Sequence, residues 1–255
     1  MIPKIIHLCW LSGDEYPDDI KKCINSWKKY LPDYEIWVWD TKRFNINSTF
    51  WTKEAFEKKK YAFAADYIRL YALYNFGGIY LDSDILVYKN FDDLLSLPYF
   101  IGEDYLGSFE AAVIGAEKYC PWIKEIIKYY DNRHFVNGEQ LDMLPLPNIF
   151  SITLKNKYGF KKLYRKPVKY STDSNILNVF NKDFFNSRNR VGIIKTSNSY
   201  CAHNYKGSWT DPENNLKNTI KSFLPTCILN MIFAVTNRLH KKKLTKNAIP
   251  YTHYK

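Results

Sequence analysis

Residues 77–86 have the sequence GGIYLDSDIL, in which a pair of glycines precedes a short apolar run and two aspartates follow it. Glycines end helices and make turns, and the apolar residues 79–81 are typical of a buried strand. Alternate side chains of an extended chain point the same way, so Asp82 and Asp84 are expected to converge on one hard cation. Because Asp-x-Asp is a common combination, a polar turn that merely ends the strand is the alternative interpretation.

The segment before the glycines predicts a helix over residues 53–75, because good helix formers occur throughout it and Gly77 follows it. Asp66 and Arg69 are three positions apart in this helix and therefore share one face. Since the helix leads directly into the turn, both side chains are expected close to the two aspartates. A local salt bridge worth only a few tenths of a kcal/mol is the alternative interpretation.

The apolar runs elsewhere predict an α/β fold. Residues 4–10 and 35–40 indicate buried strands, and between them Pro17 starts a helix with one apolar stripe. Strand, helix, strand is the unit of an α/β sheet, so the sheet should be mixed or mostly parallel with helices on both sides. Residues 137–169, rich in Pro, Asn and Lys, are predicted to be loops. Further strands are predicted at residues 100–101, 111–116 and 191–195, and a further helix from Pro121.

Composition limits the class of protein. With 255 residues, of which 46% are hydrophobic and 17% aromatic, the chain can bury one substantial core. Its net charge of +11 attracts polyanions such as nucleotide diphosphates, nucleic acid or an anionic membrane. Five widely spaced cysteines without a Cys-x-x-Cys pair indicate reduced thiols rather than disulfides or a zinc site. No secretory signal and no spanning apolar stretch are recognised, so we expect a cytoplasmic protein.

Three segments together resemble the DXD-containing glycosyltransferase family 32. Residues 61–84, YAFAADYIRLYALYNFGGIYLDSD, resemble its signature, residues 2–10, IPKIIHLCW, its first strand, and residues 200–209, YCAHNYKGSW, its closing His and Ser-Trp motif. The family includes bacterial capsular-polysaccharide and lipooligosaccharide sugar transferases and yeast initiating mannosyltransferases, and it is similar to the glucosylating domains of large clostridial toxins. The resemblance implies a GT-A type, Rossmann-like domain over residues 1–210, followed by a C-terminal helical appendage over residues 211–255.

The resemblance also implies a metal-dependent transferase with Mn²⁺ or Mg²⁺ as cofactor. Asp84 is then a direct metal ligand, Asp82 a second one, and His203 a further metal or phosphate contact, although a structural histidine is the alternative interpretation. With Arg69, the two aspartates are the expected catalytic residues. A divalent cation that bridges carboxylates and a diphosphate acts as a Lewis acid, because it screens the charge that develops on the leaving nucleotide.

Donor contacts are implied around the same motif. Trp10 would stack on the nucleotide base, with a core aromatic as the alternative interpretation. Asp66 and Arg69 would hold the sugar and phosphate region. The other implied donor residues lie beside the ribose, the sugar or the diphosphate: Tyr80, Asp82, Ser83, Ser208 and Trp209.

Family members retain the anomeric configuration, and bacterial members most often use UDP-sugars, so we expect a UDP-sugar donor. Retention can follow a double displacement at a carboxylate or front-face attack. The expected acceptor is a glycan or a lipid-linked saccharide of bacterial surface polysaccharide synthesis. Glu103 and Asp104 are the candidate acceptor contacts, and surface acids on a loop are the alternative interpretation.

Residues 227–243 combine an apolar helical stripe with a following basic cluster. A peripheral anchor at the anionic cytoplasmic face of a membrane has this pattern, because each basic residue near such a surface contributes about 1 kcal/mol to membrane binding. An ordinary C-terminal helix that packs on the domain has it too. Both interpretations are open, and the first would make the cell membrane a partner of the protein.

Two other classes of protein share single features with this sequence. A haloacid-dehalogenase-like phosphohydrolase also has Asp-x-Asp after an apolar strand, but it needs a Thr where this chain has Leu86. A basic nucleic-acid- or nucleotide-binding module would explain the charge, but not the pair of aspartates, and it predicts salt-sensitive oligonucleotide binding without metal dependence. We therefore expect no nucleic-acid partner.

Overall fold

The computed structural model describes residues 1–165, 169–187, 195–204 and 249–250. The first part of the chain contains β1 (Ile5–Cys9), α1 (Asp18–Tyr30), β2 (Glu35–Trp39), α2 (Phe50–Glu57), α3 (Tyr61–Phe76), β3 (Gly78–Leu81) and β4 (Ile85–Val87). The second part contains β5 (Tyr99–Glu103), β6 (Phe109–Ala116), α4 (Pro121–Ile127), β7 (Val136–Asn137), β8 (Gln140–Leu141), α5 (Leu146–Leu154), β9 (Gly159–Leu163), β10 (Ile176–Phe180) and β11 (Cys201–His203). Short 3-10 helices cover Ile46–Ser48, Asp92–Leu94 and Lys128–Tyr130.

Within the described residues, seven strands form the main sheet in the order β2-β1-β3-β6-β5-β10-β9. β6 is antiparallel to both of its neighbours, β3 and β5, and the other pairs are parallel. Two antiparallel pairs lie outside this sheet, β4 with β11 and β7 with β8. The predicted α/β class, with a mixed and mostly parallel sheet, is confirmed.

Side chains of the central strand β3 alternate between the two faces of the sheet. Tyr80 packs into a core with α2, α3, α4 and α5, whereas Ile79 and Leu81 pack into a second core with α1. All four residues of β3 are buried. Helices therefore cover both faces, as predicted, and β3 ends between two cores that hold its position.

Close packing between β1 and β3 requires the glycine at position 78. Gly78 has a φ of 103°, and a Cβ atom there would lie 2.7 Å from the carbonyl oxygen of Ile5. His7 holds the same junction from β1, because its Nε2 donates a hydrogen bond to the Gly77 carbonyl oxygen (2.6 Å) and its Nδ1 accepts one from the Trp39 indole (3.0 Å). The glycine pair thus joins α3 to β3 at a point where the backbones of β1 and β3 are too close for a side chain.

The single helix predicted over residues 53–75 is wrong, because two helices occupy this region. Lys59, between α2 and α3, has a φ of 55°, which breaks the helix. The break lets the two helices pack on each other, and the Trp51 indole donates a hydrogen bond to the Phe63 carbonyl oxygen (2.8 Å) across it. Helix propensity describes single residues and takes no account of this tertiary contact, so it did not predict the break.

The loops predicted over residues 137–169 are also wrong, because this segment contains α5 and the edge strand β9. Pro145 and Pro147 do not prevent α5, since Pro145 precedes the helix and Pro147 lies in its first turn, where a missing N–H has little cost. Ile149, Phe150 and Leu154 of α5 are fully buried. Burial of these side chains outweighs the polar composition around them.

Several predictions lie outside the described residues: most of the strand at residues 191–195, the donor contacts Ser208 and Trp209, and the appendage at residues 211–255 apart from Ile249 and Pro250. Ile249 is buried, and its N–H donates to the Gly107 carbonyl oxygen (3.0 Å). Among the described helices, none combines the length and apolar character needed to cross a bilayer. Cys9, Cys23, Cys120 and Cys201 are free thiols, as expected.

Candidate active site

The acidic motif, residues 82–84, forms a tight turn at the end of β3. The Asp82 N–H donates to the Ala112 carbonyl oxygen of β6 (2.9 Å), and the Ile85 N–H donates back to the Asp82 carbonyl oxygen (3.0 Å). The expectation that an extended backbone aligns the two carboxylates is therefore wrong. They converge because the chain turns between β3 and β4, with Ser83 half-buried at the turn.

Three side chains come together at this turn. One ligand atom from each of Asp82, Asp84 and His203 lies within 4.8 Å of the other two. His203 arrives on β11, which pairs antiparallel with β4 and places His203 opposite Ile85. Two carboxylates and an imidazole are suitable ligands for Mn²⁺ and, through the oxygens, for Mg²⁺. The residues present thus fit a divalent cation.

His203 lies between two buried carboxylates. Its Nε2 is 3.4 Å from Oδ1 of Asp84, and its Nδ1 is 3.3 Å from Oε1 of Glu110 on β6. Burial alone would lower the pKa of His203, but the charges of Glu110 and Asp84 outweigh burial and raise it well above its ordinary value. Sequence reasoning missed Glu110, for which the signal was a single acid inside an otherwise apolar strand.

Arg69 connects α3 to the acidic turn. Its guanidinium lies 2.9 Å from Asp66 Oδ1 and 3.2 Å from Asp82 Oδ1, and its Nη1 donates to the Ala111 carbonyl oxygen (2.9 Å). The Arg69 side chain is only 6% exposed. The pair with Asp66 is therefore part of a buried network rather than an isolated surface bridge. Burial raises the pKa of Asp66 to about 7, although Arg69 opposes the shift.

Tyr80 and Arg69 together orient Asp82. The Tyr80 hydroxyl donates to Asp82 Oδ1 (2.8 Å), and the guanidinium carbon of Arg69 lies 4.5 Å above the centre of the Tyr80 ring. Tyr80 is 1% exposed, so its ring has little freedom to move. The Asp82 carboxylate is thus held by these partners, and one of its oxygens lies within 4.8 Å of ligand atoms of Asp84 and His203.

Trp10 is a half-buried residue at the carboxyl end of β1, not a fully buried core aromatic. Its indole N–H donates to the Asp14 carbonyl oxygen (2.7 Å), and its ring lies against Tyr16, with 4.7 Å between ring centres. The carboxyl ends of the parallel strands β1 and β3 are at the same edge of the sheet. Trp10 is thus on the edge that carries the acidic turn, and its contact with a base stays a prediction.

Neither candidate acceptor residue is a member of the Asp82, Asp84 and His203 cluster. Glu103 is buried in β5 and pairs with Lys162 of β9, so its interpretation as a surface loop acid is wrong. Asp104 shapes the turn that follows, because its Oδ1 accepts the N–H groups of Leu106 (2.7 Å) and Ser108 (2.9 Å). Burial raises the pKa of Asp104 to about 6.

The sheet, with one antiparallel strand among parallel ones and an acidic turn at the end of β3, defines a GT-A type fold with a candidate cation site. Residues 17–101 match the family model described as "Glycosyltransferase sugar-binding region containing DXD motif". This match confirms the predicted resemblance to the DXD-containing glycosyltransferases over one third of the chain.

Curated relatives match part of this chain. Inositol phosphoceramide mannosyltransferase 3 of Schizosaccharomyces pombe is 29% identical over 145 residues, which is 52% of this chain and 40% of the relative. An uncharacterized glycosyltransferase, L373, of Acanthamoeba polyphaga mimivirus is 36% identical over 106 residues, 39% of this chain and 42% of the relative. The chain thus spans less than half the length of the curated relatives it matches.

Among solved structures, the PaToxG glycosyltransferase is similar with a TM-score of 0.47 and 23% sequence identity, over 61% of this chain and 68% of that chain. The apo form of the glycosyltransferase GlyE from Streptococcus pneumoniae TIGR4 has a TM-score of 0.38 and 15% identity, over 62% of this chain and 44% of that one.

Proposed function

We propose that this protein transfers a sugar from a nucleotide-sugar donor to a saccharide acceptor, with a divalent cation held by Asp82, Asp84 and His203. The observation that carries the proposal is the convergence of these three side chains within 4.8 Å at the acidic turn of a DXD glycosyltransferase region. When bound there, Mn²⁺ or Mg²⁺ supplies Lewis-acid stabilisation of the diphosphate that leaves the sugar.

Arg69 supports the same chemistry through a fixed positive charge. Cleavage of the bond between the sugar and the phosphate increases the negative charge on the departing diphosphate, and a preorganised cation stabilises that change. Arg69 is buried and held by Asp66, Asp82 and the Ala111 carbonyl, so it does not need to reorganise during the reaction. Asp66 and Arg69 are accordingly proposed to contact the donor sugar and its phosphate, and Trp10 the base.

The hydrogen bonds of Asp82 favour one route to retention. Asp82 Oδ1 accepts the Tyr80 hydroxyl and faces Arg69, and both contacts reduce its strength as a nucleophile. We therefore favour front-face attack over a covalent sugar–enzyme intermediate. In this route the acceptor oxygen bonds to the anomeric carbon as the bond from that carbon to the phosphate oxygen breaks, and the departing diphosphate takes the acceptor's proton.

The identities of the donor and the acceptor are part of the same proposal. A UDP-sugar donor and an acceptor in surface polysaccharide synthesis follow from the family resemblance. Several matched relatives carry mannosyltransferase names, which makes GDP-mannose a second donor to test. The net charge of +11 supports anionic substrates of either kind, including nucleotide diphosphates and phosphate-linked lipid saccharides.

Nucleotide release from a panel of UDP- and GDP-sugars, with and without Mn²⁺, tests the proposal. Release from at least one donor should require the metal and should be lost in Asp84→Asn, which keeps the shape of the side chain but removes its charge. Asp33→Asn is the matched control, because Asp33 is an exposed aspartate, with 74% of its side chain accessible, away from the acidic turn. If no donor shows metal-dependent release or binding, the transferase proposal is wrong.

A further inference from the structure

The two ring nitrogens of His203 face two different carboxylates. Nε2 lies 3.4 Å from Asp84, within the candidate cation site, and Nδ1 lies 3.3 Å from Glu110, outside it. A histidine that binds a metal through one nitrogen commonly donates its other N–H to a carboxylate, which fixes the tautomer and the ring orientation. Glu110 occupies the position of that second partner.

Glu110 is itself held firmly. It is 3% exposed, its Oε1 accepts the Ala112 N–H (3.0 Å), and its Oε2 accepts the Asn186 side-chain amide (2.5 Å). A carboxylate buried to this extent is costly without such partners, so the contacts also explain how the site tolerates it. The oxygen that faces His203 therefore has a defined position.

β6 is irregular where it carries Glu110. Ile101 of β5 pairs with Ile114, but the next residue, Gly102, pairs with Glu110, so the register shifts and residues 111–113 bulge. Bulges redirect side chains and are frequent beside functional sites. Here three consecutive residues contact three site groups: Glu110 faces His203, the Ala111 carbonyl accepts Arg69, and the Ala112 carbonyl accepts the Asp82 N–H.

We propose that Glu110 is a positioning residue for the cation site: it accepts the Nδ1 hydrogen of His203 and so directs the Nε2 lone pair toward the position shared with Asp82 and Asp84. This inference rests on the proposed function, because it presumes that His203 is a ligand of the cation. Glu110 itself does not contact substrate or metal in this role. Its contribution is to keep the imidazole in the tautomer and orientation that can bind.

Metal affinity tests this role without any measurement of turnover. Mn²⁺ binding to the full chain is measured by calorimetry and by electron paramagnetic resonance, in wild type and in Glu110→Gln. The variant should bind Mn²⁺ about 10- to 100-fold more weakly, because the glutamine no longer enforces one tautomer. The ¹⁵N shifts of the His203 ring, recorded in the chain loaded with diamagnetic Mg²⁺, should report the change in tautomer directly.

Glu54→Gln is the matched control. Glu54 also pairs with a histidine, His134, through Nδ1 at 2.6 Å, but on α2 and away from the acidic turn. This variant should leave the Mn²⁺ affinity at the wild-type value. If Glu110→Gln does not fold, Asn186→Ala is the second variant, because it frees the other oxygen of Glu110 and should weaken Mn²⁺ binding several-fold.

The outcomes separate the two proposals. If the wild-type chain binds no Mn²⁺, the cation site of the proposed function is wrong. If wild type binds Mn²⁺ but Glu110→Gln, or Asn186→Ala in its place, binds it equally well with an unchanged His203 tautomer, only the role of Glu110 is wrong and the proposed function stands.

Discussion

Arg69 Nη1 lies 3.2 Å from Oδ1 of Asp82, so a residue of α3 and a residue of the acidic turn form one buried ion pair. The two side chains are 6% and 28% exposed, so the arginine is buried and the aspartate is partly accessible. Because the guanidinium also contacts Asp66 and the Ala111 carbonyl, α3, β3 and β6 meet at a single side chain. Changes at Arg69 should therefore affect the geometry of the whole candidate site.

Arg69→Lys tests this geometry while it keeps the charge. A lysine ammonium is a point charge and cannot reproduce the planar set of N–H groups that reaches Asp66, Asp82 and the Ala111 carbonyl at once. We expect kcat/KM for the donor to fall by about 100-fold or more, the scale of losing one preorganised electrostatic contact. Steady-state nucleotide release measures the loss, and circular dichroism should show that the fold is retained. Unchanged kinetics would contradict a role for the fixed guanidinium.

Gly78→Ala tests the close approach of β1 and β3. The added Cβ would lie 2.7 Å from the Ile5 carbonyl oxygen, and the φ of 103° is unfavourable for any residue with a side chain. Strain and steric overlap together should lower the free energy of unfolding by about 3 kcal/mol, and the acidic turn that follows should lose metal affinity.

Gly138→Ala is the control for the glycine substitution. Gly138 also has a positive φ, 62°, but a Cβ atom added there would have no neighbouring atom within 4 Å among the described residues, so only the backbone preference is lost. This substitution should lower the free energy of unfolding by about 1 kcal/mol. Equal losses in the two variants, measured by urea unfolding, would show that crowding at Gly78 contributes nothing.

His7 makes part of the stability depend on pH. Burial lowers the pKa of His7 to about 4, although its hydrogen bond to Gly77 opposes the shift. Between pH 6.5 and pH 4 the unfolded chain binds a proton at this residue that the folded chain does not bind. The unfolding free energy should therefore fall as pH decreases through this window, by about 3 kcal/mol from His7.

The pKa of His7 can be measured directly from its imidazole NMR shifts, which should stay those of the neutral ring down to about pH 5. Urea unfolding from pH 7 to pH 4, compared between wild type and His7→Gln, isolates the contribution of this residue. The variant should be less stable at pH 7 and should lose less stability on acidification. Titration of the His7 ring near pH 6.5 would contradict its neutral buried state.

Local patterns in the sequence were sufficient to predict β3 and the side chains that gather at its end. The apolar run before the aspartates predicts β3, and the three-residue spacing of Asp66 and Arg69 predicts that both reach the same region, as the distances bear out. These features depend on backbone periodicity over a few residues. Helix boundaries were less predictable, since the break at Lys59 and the helix α5 depend on burial against distant elements.

The sequence by itself therefore determined the α/β class, the pair of aspartates at the end of β3 and the arginine beside them, because each follows from side-chain periodicity and a family signature within adjacent segments. Only the tertiary structure decided that His203 meets Asp84 through the pairing of β11 with β4, and that a bulge in β6 directs Glu110 at the same imidazole. Strand pairing and register bring together residues that are far apart in the chain, and no local pattern encodes which distant backbone a strand will bind.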